Sequence, residues 1–307
     1  MEVLNKGLNE MNKKNKPLLK VENAVIMAAG LSSRFAPISY EYPKALVKVK
    51  GQILIERQIF QLQEAGIEDI TIVVGYKKEL FQYLVDKFKV KLVENTDYIT
   101  RNNHSTLYAV KEILGNTYIC SADNYFTRNV FEPYVERAYY SSVYEEGKTD
   151  EWCIETNETG LITDLKVGGE NSWVMLGHVF FSADFSKKFV EILEAVYEDP
   201  ETPSLLWESI YLDHIHELNL FIRKYSKETI VEFDTLDELR LFDSSYIHST
   251  GSLILQSICE RLSCKESDIT HITPIKKEGE TIGFICFIKE EKYSYTYKTK
   301  KLVKCKE

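Results

Sequence analysis

The sequence predicts an α/β fold with a mostly parallel central sheet, and three observations support this prediction. From residue 21 to about residue 140, short apolar runs alternate with segments whose apolar residues recur at helical spacing. Gly30, Gly66 and Gly75 stand where three of these segments end. The chain has 307 residues, 44% of them hydrophobic, which is enough to bury a substantial core. Strands that alternate with helices in this way form βαβ units, whose strands lie parallel.

The elements of the first half follow one another in a regular order. Ile55, Ile59 and Leu62 lie on one face of the first predicted helix, and most strand segments are apolar throughout. Ligands of such a sheet bind beyond the carboxyl ends of its strands, where Gly30 and Asp123 fall. We expect strands at 25–29, 69–75, 90–94 and 117–122, and helices at 53–65, 78–88 and 102–114.

The second half is less regular and predicts an inserted, partly antiparallel layer that closes one side of the sheet. A small α+β segment follows, with one amphipathic helix around Ile258 and two strands, Ile282–Ile288 and Tyr293–Tyr297. A segment this short forms a poor core alone, so we expect it to dock on the rest of the chain. We also expect strands near 141–144, 152–156, 161–167, 174–182 and 229–234, and helices near 186–198, 204–217 and 236–241.

Composition and charge argue against several classes of protein. The chain has 38 Lys and Arg against 47 Asp and Glu, a net charge of −9, so broad binding of nucleic acid is not expected. No apolar run approaches the ~18 to 20 residues of a membrane span, and the first twenty residues lack the apolar core of a secretory signal. The six cysteines contain no C-x-x-C pair, so we expect neither disulfides nor a zinc site. These features predict a cytoplasmic protein.

A loop motif follows the first strand and is suited to bind phosphate. After Gly30, main-chain amides and small hydroxyls can donate to phosphate oxygens, and Arg34 and Lys44 add positive charge. The motif is neither a Walker A loop nor a G-x-G-x-x-G fingerprint, because it has one glycine and a late lysine. The candidate phosphate-binding residues are Ala28, Ala29, Gly30, Ser32, Ser33, Arg34 and Lys44.

Three carboxylates form the second candidate group. Asp123 stands at a strand end, and Glu232 and Asp234, two residues apart in a strand, share one face. Taken singly, such residues are usually turn formers or an exposed strand face. Together they offer what Mg²⁺ prefers, which is one or two carboxylates completed by phosphate oxygens and water. The sequence therefore predicts Mg²⁺ as the cofactor.

The string from Met27 to Arg34, with Pro43-Lys44 after it, resembles the nucleotidyltransferase family. Members of that family join a nucleoside triphosphate to a phosphorylated small molecule and release pyrophosphate. The resemblance implies a Rossmann-like nucleotidyltransferase fold, with Lys44, Arg34 and Asp123 as catalytic residues. It also implies that Asp123 and Asp234 bind the metal and that Glu232 is an accessory ligand. The chain departs from the usual L-A-A-G-x-G-x-R at Met27 and at Ser32, which replaces the second glycine.

Over residues 21–243 the chain looks most like the bacterial phosphocholine cytidylyltransferases. The matching segments include Asn102-Asn103 with Thr106, Asp123-Asn124-Tyr125, Glu151-Trp152, Trp207-Glu208 and Glu232-Phe233-Asp234. The resemblance implies CTP and phosphocholine as substrates, and it places Asn102, Asn103 and Thr106 against the base. We therefore divide the chain into a flexible tail over 1–20, a catalytic domain over 21–243 and a C-terminal segment over 244–307.

The two Trp-acid pairs suit a choline head group. A quaternary ammonium donates no hydrogen bond, so aromatic faces and nearby carboxylates hold it, with a cation–π energy of ~2 kcal/mol when desolvated. Trp152 with Glu151 and Trp207 with Glu208 supply both elements, although a tryptophan is as often a core residue.

Three alternatives remain open on the sequence alone. Relatives tend to carry an aromatic residue where this chain has Leu206, so a further ring, Tyr144 or Tyr211, is needed to complete the cage. Without it, phosphoethanolamine or 2-aminoethylphosphonate becomes the better acceptor, and a sugar 1-phosphate is a further choice. The alternative from another class is a non-catalytic nucleotide-binding regulator, against which the retained Lys44 and Asp123 argue.

The C-terminal segment carries a second resemblance. Asp268–Thr270, Pro274–Lys277 and the hairpin after them resemble the first strands of choline-kinase-type phosphotransferases, which occur fused to cytidylyltransferases of this kind. The resemblance stops after about 30 residues, and the kinase catalytic lobe is absent. It implies a truncated kinase N-lobe without kinase activity, which we expect to serve as an interface, for example in a homodimer.

Overall fold

The structure is a computed structural model that describes residues 17–305. The helices of this range are α1 (Ile38–Glu41), α2 (Leu54–Glu64), α3 (Tyr83–Phe88), α4 (His104–Tyr108), α5 (Ala183–Glu198), α6 (Trp207–Asp213), α7 (Leu236–Phe242), α8 (Ser245–His248) and α9 (Leu253–Leu262). The strands are β1 (Leu19–Lys20), β2 (Asn23–Ala28), β3 (Lys48–Val49), β4 (Gln52–Ile53), β5 (Ile70–Val74), β6 (Lys91–Glu94), β7 (Thr117–Ser121), β8 (Asn124–Phe126), β9 (Tyr134–Val135), β10 (Tyr139–Thr156), β11 (Ile162–Phe181), β12 (Phe221–Lys224), β13 (Ile230–Glu232), β14 (Ile269–Lys277), β15 (Glu280–Ile288), β16 (Glu291–Thr296) and β17 (Lys301–Lys304).

A seven-stranded sheet forms the centre of the fold, in the order β12-β10-β11-β7-β2-β5-β6. Strands β7, β2, β5 and β6 run parallel, whereas β11 is antiparallel to both of its neighbours. Helices cover both faces, so neighbouring residues of β2 enter different apolar layers. Ile26 packs with α2 and α3, and Val25 packs with α5 and α6. The predicted α/β class with a mostly parallel sheet is confirmed.

Two predicted regions differ from the structure. The helix expected over 102–114 is the short α4 followed by a single 3₁₀ turn, Lys111–Ile113. The four separate strands expected between 141 and 182 are one long hairpin, β10 and β11, which curls so that Cys153 pairs with both Lys166 and Val174. The middle of this hairpin is polar and exposed, so it lacks the apolar runs on which the strand prediction relied.

The C-terminal part forms a separate antiparallel sheet in the order β14-β15-β16-β17, with α9 packed beside it. The sequence predicted β15 and β16, the resemblance to kinase strands covered β14, and the polar β17 was missed. The sheet does not stand alone, because Phe284 and Tyr295 share an apolar layer with Phe35 and Leu54 of the main domain.

The predicted N-terminal tail falls mostly outside the described residues, which begin at 17. Its last two residues, Leu19 and Lys20, form β1 and pair with Val135 and Tyr134 of β9. Among the helices of the described range, none is both long and apolar enough to cross a membrane.

Candidate active site

A cavity of about 210 Å³ lies at the carboxyl ends of β2 and β7. This is the edge at which a parallel sheet of this kind binds ligands. Of the ten residues predicted to bind nucleotide, Ser33 and Arg34 lie outside its lining. The other eight line it, namely Ala28, Ala29, Gly30, Ser32, Lys44, Asn102, Asn103 and Thr106.

In the loop after β2, the residue with a strained backbone conformation is Ser32, not Gly30. Ser32 has a left-handed backbone, with φ 47° and ψ 49°, a conformation that costs a non-glycine residue roughly 1–2 kcal/mol. A Cβ added to Gly30 would meet no atom within 4 Å. A Cβ on Gly75 would lie 2.9 Å from the carbonyl oxygen of Ala29 and 2.7 Å from the ring of Tyr98. Of these two glycines, only Gly75 is closely approached by other atoms of the protein.

Asp123, Lys44 and Asp234 meet beside this cavity. Asp123 follows β7, and Lys44 begins a 3₁₀ turn that follows Pro43. The Lys44 Nζ atom lies 3.0 Å from Asp123 Oδ2 and 3.7 Å from Asp234 Oδ1, and the lysine side chain is 3% exposed. The structure thus brings together three residues that lie up to 190 positions apart in the sequence.

The protonation states of this group follow from burial and mutual attraction. Burial opposes the charge on Lys44, but the carboxylates of Asp123, Glu232 and Asp234 outweigh it and raise the lysine pKa. Burial likewise opposes ionisation of Asp123, but the Lys44 charge and hydrogen bond lower the pKa of this carboxyl below its usual value. Lys44 and Asp123 are therefore an ion pair at neutral pH.

Glu232 behaves differently from its neighbours. The β8–β13 pairing sets Glu232 opposite Asn124, whose Nδ2 atom donates to Glu232 Oε2 at 3.1 Å. Burial and the neighbouring charge of Asp123 raise the pKa of Glu232 to about 8. Asp234 instead pairs with Arg34 Nη1 at 2.8 Å. Three carboxyl groups therefore face two cationic side chains, and at neutral pH Glu232 mostly holds a proton.

The carboxyl group of Asp123 fits a small divalent cation. Its Oδ1 atom is buried without a hydrogen-bond partner among the described residues, which is costly unless a cation or water binds there. Within the same range, no group of three or more His, Cys, Asp or Glu side chains forms a metal cage. Mg²⁺ needs only one or two carboxylates, because phosphate oxygens and water fill its other positions. The donor set of Asp123 and Asp234 meets that requirement.

Asn103 is held in place by the protein itself. Its Oδ1 atom accepts the main-chain N–H of Trp207 at 2.8 Å, and its Nδ2 atom donates to Glu208 at 3.1 Å. Because both atoms of its amide group already form hydrogen bonds within the protein, Asn103 contributes to the shape of the cavity and not to hydrogen bonding with a ligand. The nearby Arg101, which the sequence analysis missed, lines the same cavity. Its Nη1 atom is buried and has no hydrogen-bond partner among residues 17–305. Arg101 belongs to no sequence motif that would have identified it as a candidate binding residue.

A second cavity, of about 670 Å³, lies on the far side of Glu232 and Asp234. Its walls are rich in carboxylates, and its one aromatic side chain is Phe242. Of the predicted head-group residues, Glu151 lines this cavity, whereas Trp152 is half-buried and lines neither cavity. The carboxylates around it are Glu145, Glu151, Glu228, Glu232, Asp234 and Glu238. The sequence analysis missed Glu145, Glu228, Glu238 and Phe242, which belong to no motif that marks them as ligand-binding residues.

The structure corrects the prediction that the ring of Trp207 contacts a head group. Trp207 is 1% exposed, lies parallel to Tyr140 at 5.7 Å and packs edge-on against Phe181. Tyr211, considered as a further cage ring, is also fully buried in this apolar layer. Tyr144, the other candidate ring, is partly exposed but packs against Trp173 in the long hairpin. Helical periodicity explains the burial, because residues 207, 210 and 211 share the core-facing side of α6.

Glu208 contacts Asn103 in the wall of the first cavity and has a strongly perturbed pKa. Burial raises this pKa to about 7, and the hydrogen bonds from Asn103 and Tyr140 only partly offset that effect. The folded state therefore keeps a proton between about pH 4.5 and pH 7 that the unfolded chain releases. Since the folded state binds more protons in this window, stability falls as the pH rises through it and levels off above pH 7.

We expect Glu208→Gln to remove this fall in stability. Relative to the wild type, the variant should gain about 1 to 3 kcal/mol of unfolding free energy between pH 5 and pH 8, because glutamine carries no charge to bury. Urea unfolding at the two pH values measures the difference, and the exposed Glu201→Gln serves as control. Parallel pH profiles for wild type and Glu208→Gln would contradict the assignment.

Comparison with known proteins gives the class of this chain. Residues 24–201 match the family model described as the MobA-like NTP transferase domain. The chain therefore belongs to the MobA-like NTP transferase family, and it is an enzyme of the nucleotidyltransferase class.

Named relatives narrow the class. The 2-aminoethylphosphonate cytidylyltransferase of Lancefieldella rimae is 37% identical over 230 residues, covering 74% of this chain and 94% of the relative. The choline-phosphate cytidylyltransferase of Streptococcus pneumoniae is 39% identical over 217 residues, covering 71% of this chain and 95% of the relative. The structure of the Streptococcus pneumoniae CTP:phosphocholine cytidylyltransferase superposes with a TM-score of 0.71, at 37% identity, over 74% of this chain and 99% of that one. Within its family, the chain thus stands among the cytidylyltransferases.

Proposed function

We propose that the protein transfers a cytidylyl group from CTP to phosphocholine and releases pyrophosphate. The observation that supports this most is the Lys44–Asp123 ion pair in the cavity that the phosphate-binding loop lines. Lys44 also lies 3.7 Å from Asp234, which lines the second, carboxylate-rich cavity. The reacting phosphorus of a nucleotide in the first cavity would then lie next to an acceptor in the second. The proposal is also supported by the cytidylyltransferase relatives, whose sequences this chain matches along nearly their whole length.

In the reaction, a phosphate oxygen of the acceptor attacks the α-phosphorus of CTP, and the bond from that phosphorus to the bridging oxygen breaks. The second pKa of a phosphate monoester is about 6, so the attacking oxygen is already ionised and needs no general base. The protein has to align two anions that repel each other and balance their charge. Lys44 would stabilise the reacting phosphate, and Arg34, whose side chain is 69% exposed, would bind the departing pyrophosphate.

Asp123 and Asp234, with Glu232 as an accessory ligand, would hold Mg²⁺ at this point. Bound there, the ion would supply charge neutralisation for the phosphate oxygens. The protonated Glu232 would release its proton when a cation binds, because added positive charge favours the ionised carboxylate.

The carboxylate-rich cavity is the proposed acceptor site. Its negative walls attract the positive end of the acceptor, and Phe242 offers the one aromatic face. A second acceptor, 2-aminoethylphosphonate, is favoured by the same feature. A primary ammonium donates hydrogen bonds that carboxylates accept, whereas a quaternary ammonium prefers several rings, and Trp207 and Tyr211 are in the core.

Glu151→Gln tests the acceptor site. We expect its KM for phosphocholine to rise about tenfold, because one carboxylate that faces the cation is lost, while its KM for CTP changes less than about twofold. The control is Glu155→Gln, which lies on the same strand but pairs with Lys166 at the surface. Steady-state kinetics with each substrate varied in turn give both constants. Equal changes in the two constants would remove Glu151 from the acceptor site.

Two further proposals concern the assembly. The resemblance of residues 244–307 to a truncated kinase N-lobe is consistent with a four-stranded antiparallel sheet, but such a sheet occurs in many folds. A homodimer through this segment is likewise a proposal, for which sedimentation of the full chain is the test. The alternative of a non-catalytic nucleotide-binding regulator predicts CTP binding without release of pyrophosphate.

A further inference from the structure

The C-terminal unit, residues 251–305, packs against the back of the phosphate-binding loop. The family match ends at residue 201, well before this unit begins. Its sheet and α9 share one apolar layer with Phe35 and Ile38. These two residues stand one and four positions after Arg34 in the chain. The unit is therefore close to the active site without lining either cavity.

An aromatic stack connects the unit to the loop. The ring of Tyr297 lies on the ring of Tyr40, with centroids 3.7 Å apart and an angle of 7° between their planes. Lys77 Nζ donates to the carbonyl oxygens of Tyr40 and Glu41 at 2.7 and 2.8 Å. Segment 35–41 is thus held between the C-terminal unit on one side and the end of β5 on the other.

A helix terminus makes the second connection. Glu41 Oε1 accepts the main-chain N–H groups of Leu253 and Ile254, at 2.8 and 3.3 Å. These are the first two residues of α9, whose amides have no partner within the helix, and a carboxylate is favourable at this positive end. Glu41 therefore binds segment 35–41 to α9.

The unit also holds the segment that follows Asp234. Arg240 of α7 donates to the carbonyl oxygens of Ile269 and Glu266, at 2.5 and 2.7 Å. Asp237 Oδ2 accepts the main-chain N–H of His271 at 2.8 Å. Helix α7 begins two residues after Asp234, so its contacts with β14 fix the segment that carries Asp234.

We propose that the C-terminal unit is a positioning element of the active site, which holds Arg34 and Asp234 in register with each other. One set of contacts fixes the segment after Arg34, and another fixes the helix after Asp234. The ion pair of 2.8 Å between these two residues bridges the segments that the unit holds. Residues such as Tyr297 touch neither substrate and act through the loop.

Replacing Tyr297 by leucine tests the proposal, because leucine keeps apolar volume but loses the stack. The matched control is Tyr293→Leu, the same change on neighbouring β16, where the hydroxyl bonds to Glu291 within the unit. Glu41→Ala provides a second variant from the main-domain side. If Tyr297→Leu fails to fold, Glu41→Ala still tests the proposal, since Glu41 is a half-buried polar residue of α1 and not part of the apolar layer.

Two measurements give the outcome. Amide hydrogen exchange in peptides covering 33–46 should quicken at least about fivefold in Tyr297→Leu and in Glu41→Ala, and stay unchanged in Tyr293→Leu. The KM for CTP should rise about five- to tenfold while the KM for the acceptor changes less than about twofold. Unchanged exchange, a rise in exchange without a change in KM, or equal effects in the control would each overturn the proposal.

The kinetic part of this inference rests on the proposed function, and the exchange part does not. If wild-type protein released no pyrophosphate, the proposed function would fail, while exchange would still show whether the unit holds the loop. Exchange measured with and without CTP then replaces KM as the readout, and protection of 33–46 by CTP should weaken in Tyr297→Leu. Equal protection in wild type and variant would overturn the proposal in that case too.

Discussion

Replacing Asp123 by asparagine is expected to lower turnover at least about 10³-fold while the fold survives. The amide keeps the shape of the carboxylate but removes the charge that pairs with Lys44 and the strongest candidate ligand for Mg²⁺. The fold should tolerate the change, because the charge of Asp123 is one cause of the raised pKa of Glu232. Without that charge, Glu232 loses its proton more readily, and its negative charge then compensates the positive charge of Lys44.

Pyrophosphate release at saturating CTP and acceptor measures the loss, and circular dichroism with thermal unfolding checks the fold. Asp69→Asn is the matched control, since Asp69 pairs with the surface residue Lys91 next to β5 and β6, away from both cavities. Activity of Asp123→Asn near the wild-type level would remove Asp123 from the site.

The second large effect is expected for Lys44→Met. Lys44 is buried, so its loss leaves the carboxylates of Asp123 and Asp234 with only Arg34 to balance them. We expect turnover to fall about 10²- to 10³-fold, because a charge that faces the reacting phosphates is gone. We also expect the protein to lose about 3 kcal/mol of stability, as is usual when one partner of a buried ion pair is removed.

The stability loss of Lys44→Met should depend on pH. Without the lysine, the carboxyl pKa values rise in the folded state, which then holds more protons than the unfolded chain. Stability should therefore fall as the pH rises above about 4, and the variant should be most stable relative to wild type at low pH. Denaturant unfolding at pH 5 and pH 8 tests this, with the exposed Lys48→Met as control. A pH-independent difference between variant and wild type would contradict the role of Lys44 in this cluster.

The sheet could be predicted from the sequence because its strands are buried on both faces. Residues 70–74 read ITIVV and are all buried, so burial and sequence pattern coincide. The long β10–β11 hairpin was divided wrongly because its polar middle follows no apolar period, and cross-strand pairing alone keeps it together. Exposed strands such as β17 were missed for the same reason.

The candidate site divides in a similar way. The phosphate-binding loop and the carboxylates stand in short motifs of fixed spacing, and the fold places most of them around one cavity. Glu145 reaches the second cavity from β10, whereas Glu238 and Phe242 reach it from α7. No spacing in the sequence connects the β10 residue with the two α7 residues. Trp207 shows the opposite problem: its neighbour Glu208 suggested a cation site, whereas helical geometry directs the ring into the core. The sequence motifs therefore located the residues of the first cavity better than those of the second.

The most direct test of this account is pyrophosphate release by the full chain with CTP and Mg²⁺, in the presence and absence of an acceptor. Phosphocholine, 2-aminoethylphosphonate, phosphoethanolamine and glucose 1-phosphate are compared, and mass spectrometry identifies the nucleotide product. We predict that release requires an acceptor, that phosphocholine gives CDP-choline, and that glucose 1-phosphate is inactive. Binding of CTP without pyrophosphate release for any of the four acceptors would contradict the proposed cytidylyl transfer and favour a nucleotide-binding regulator.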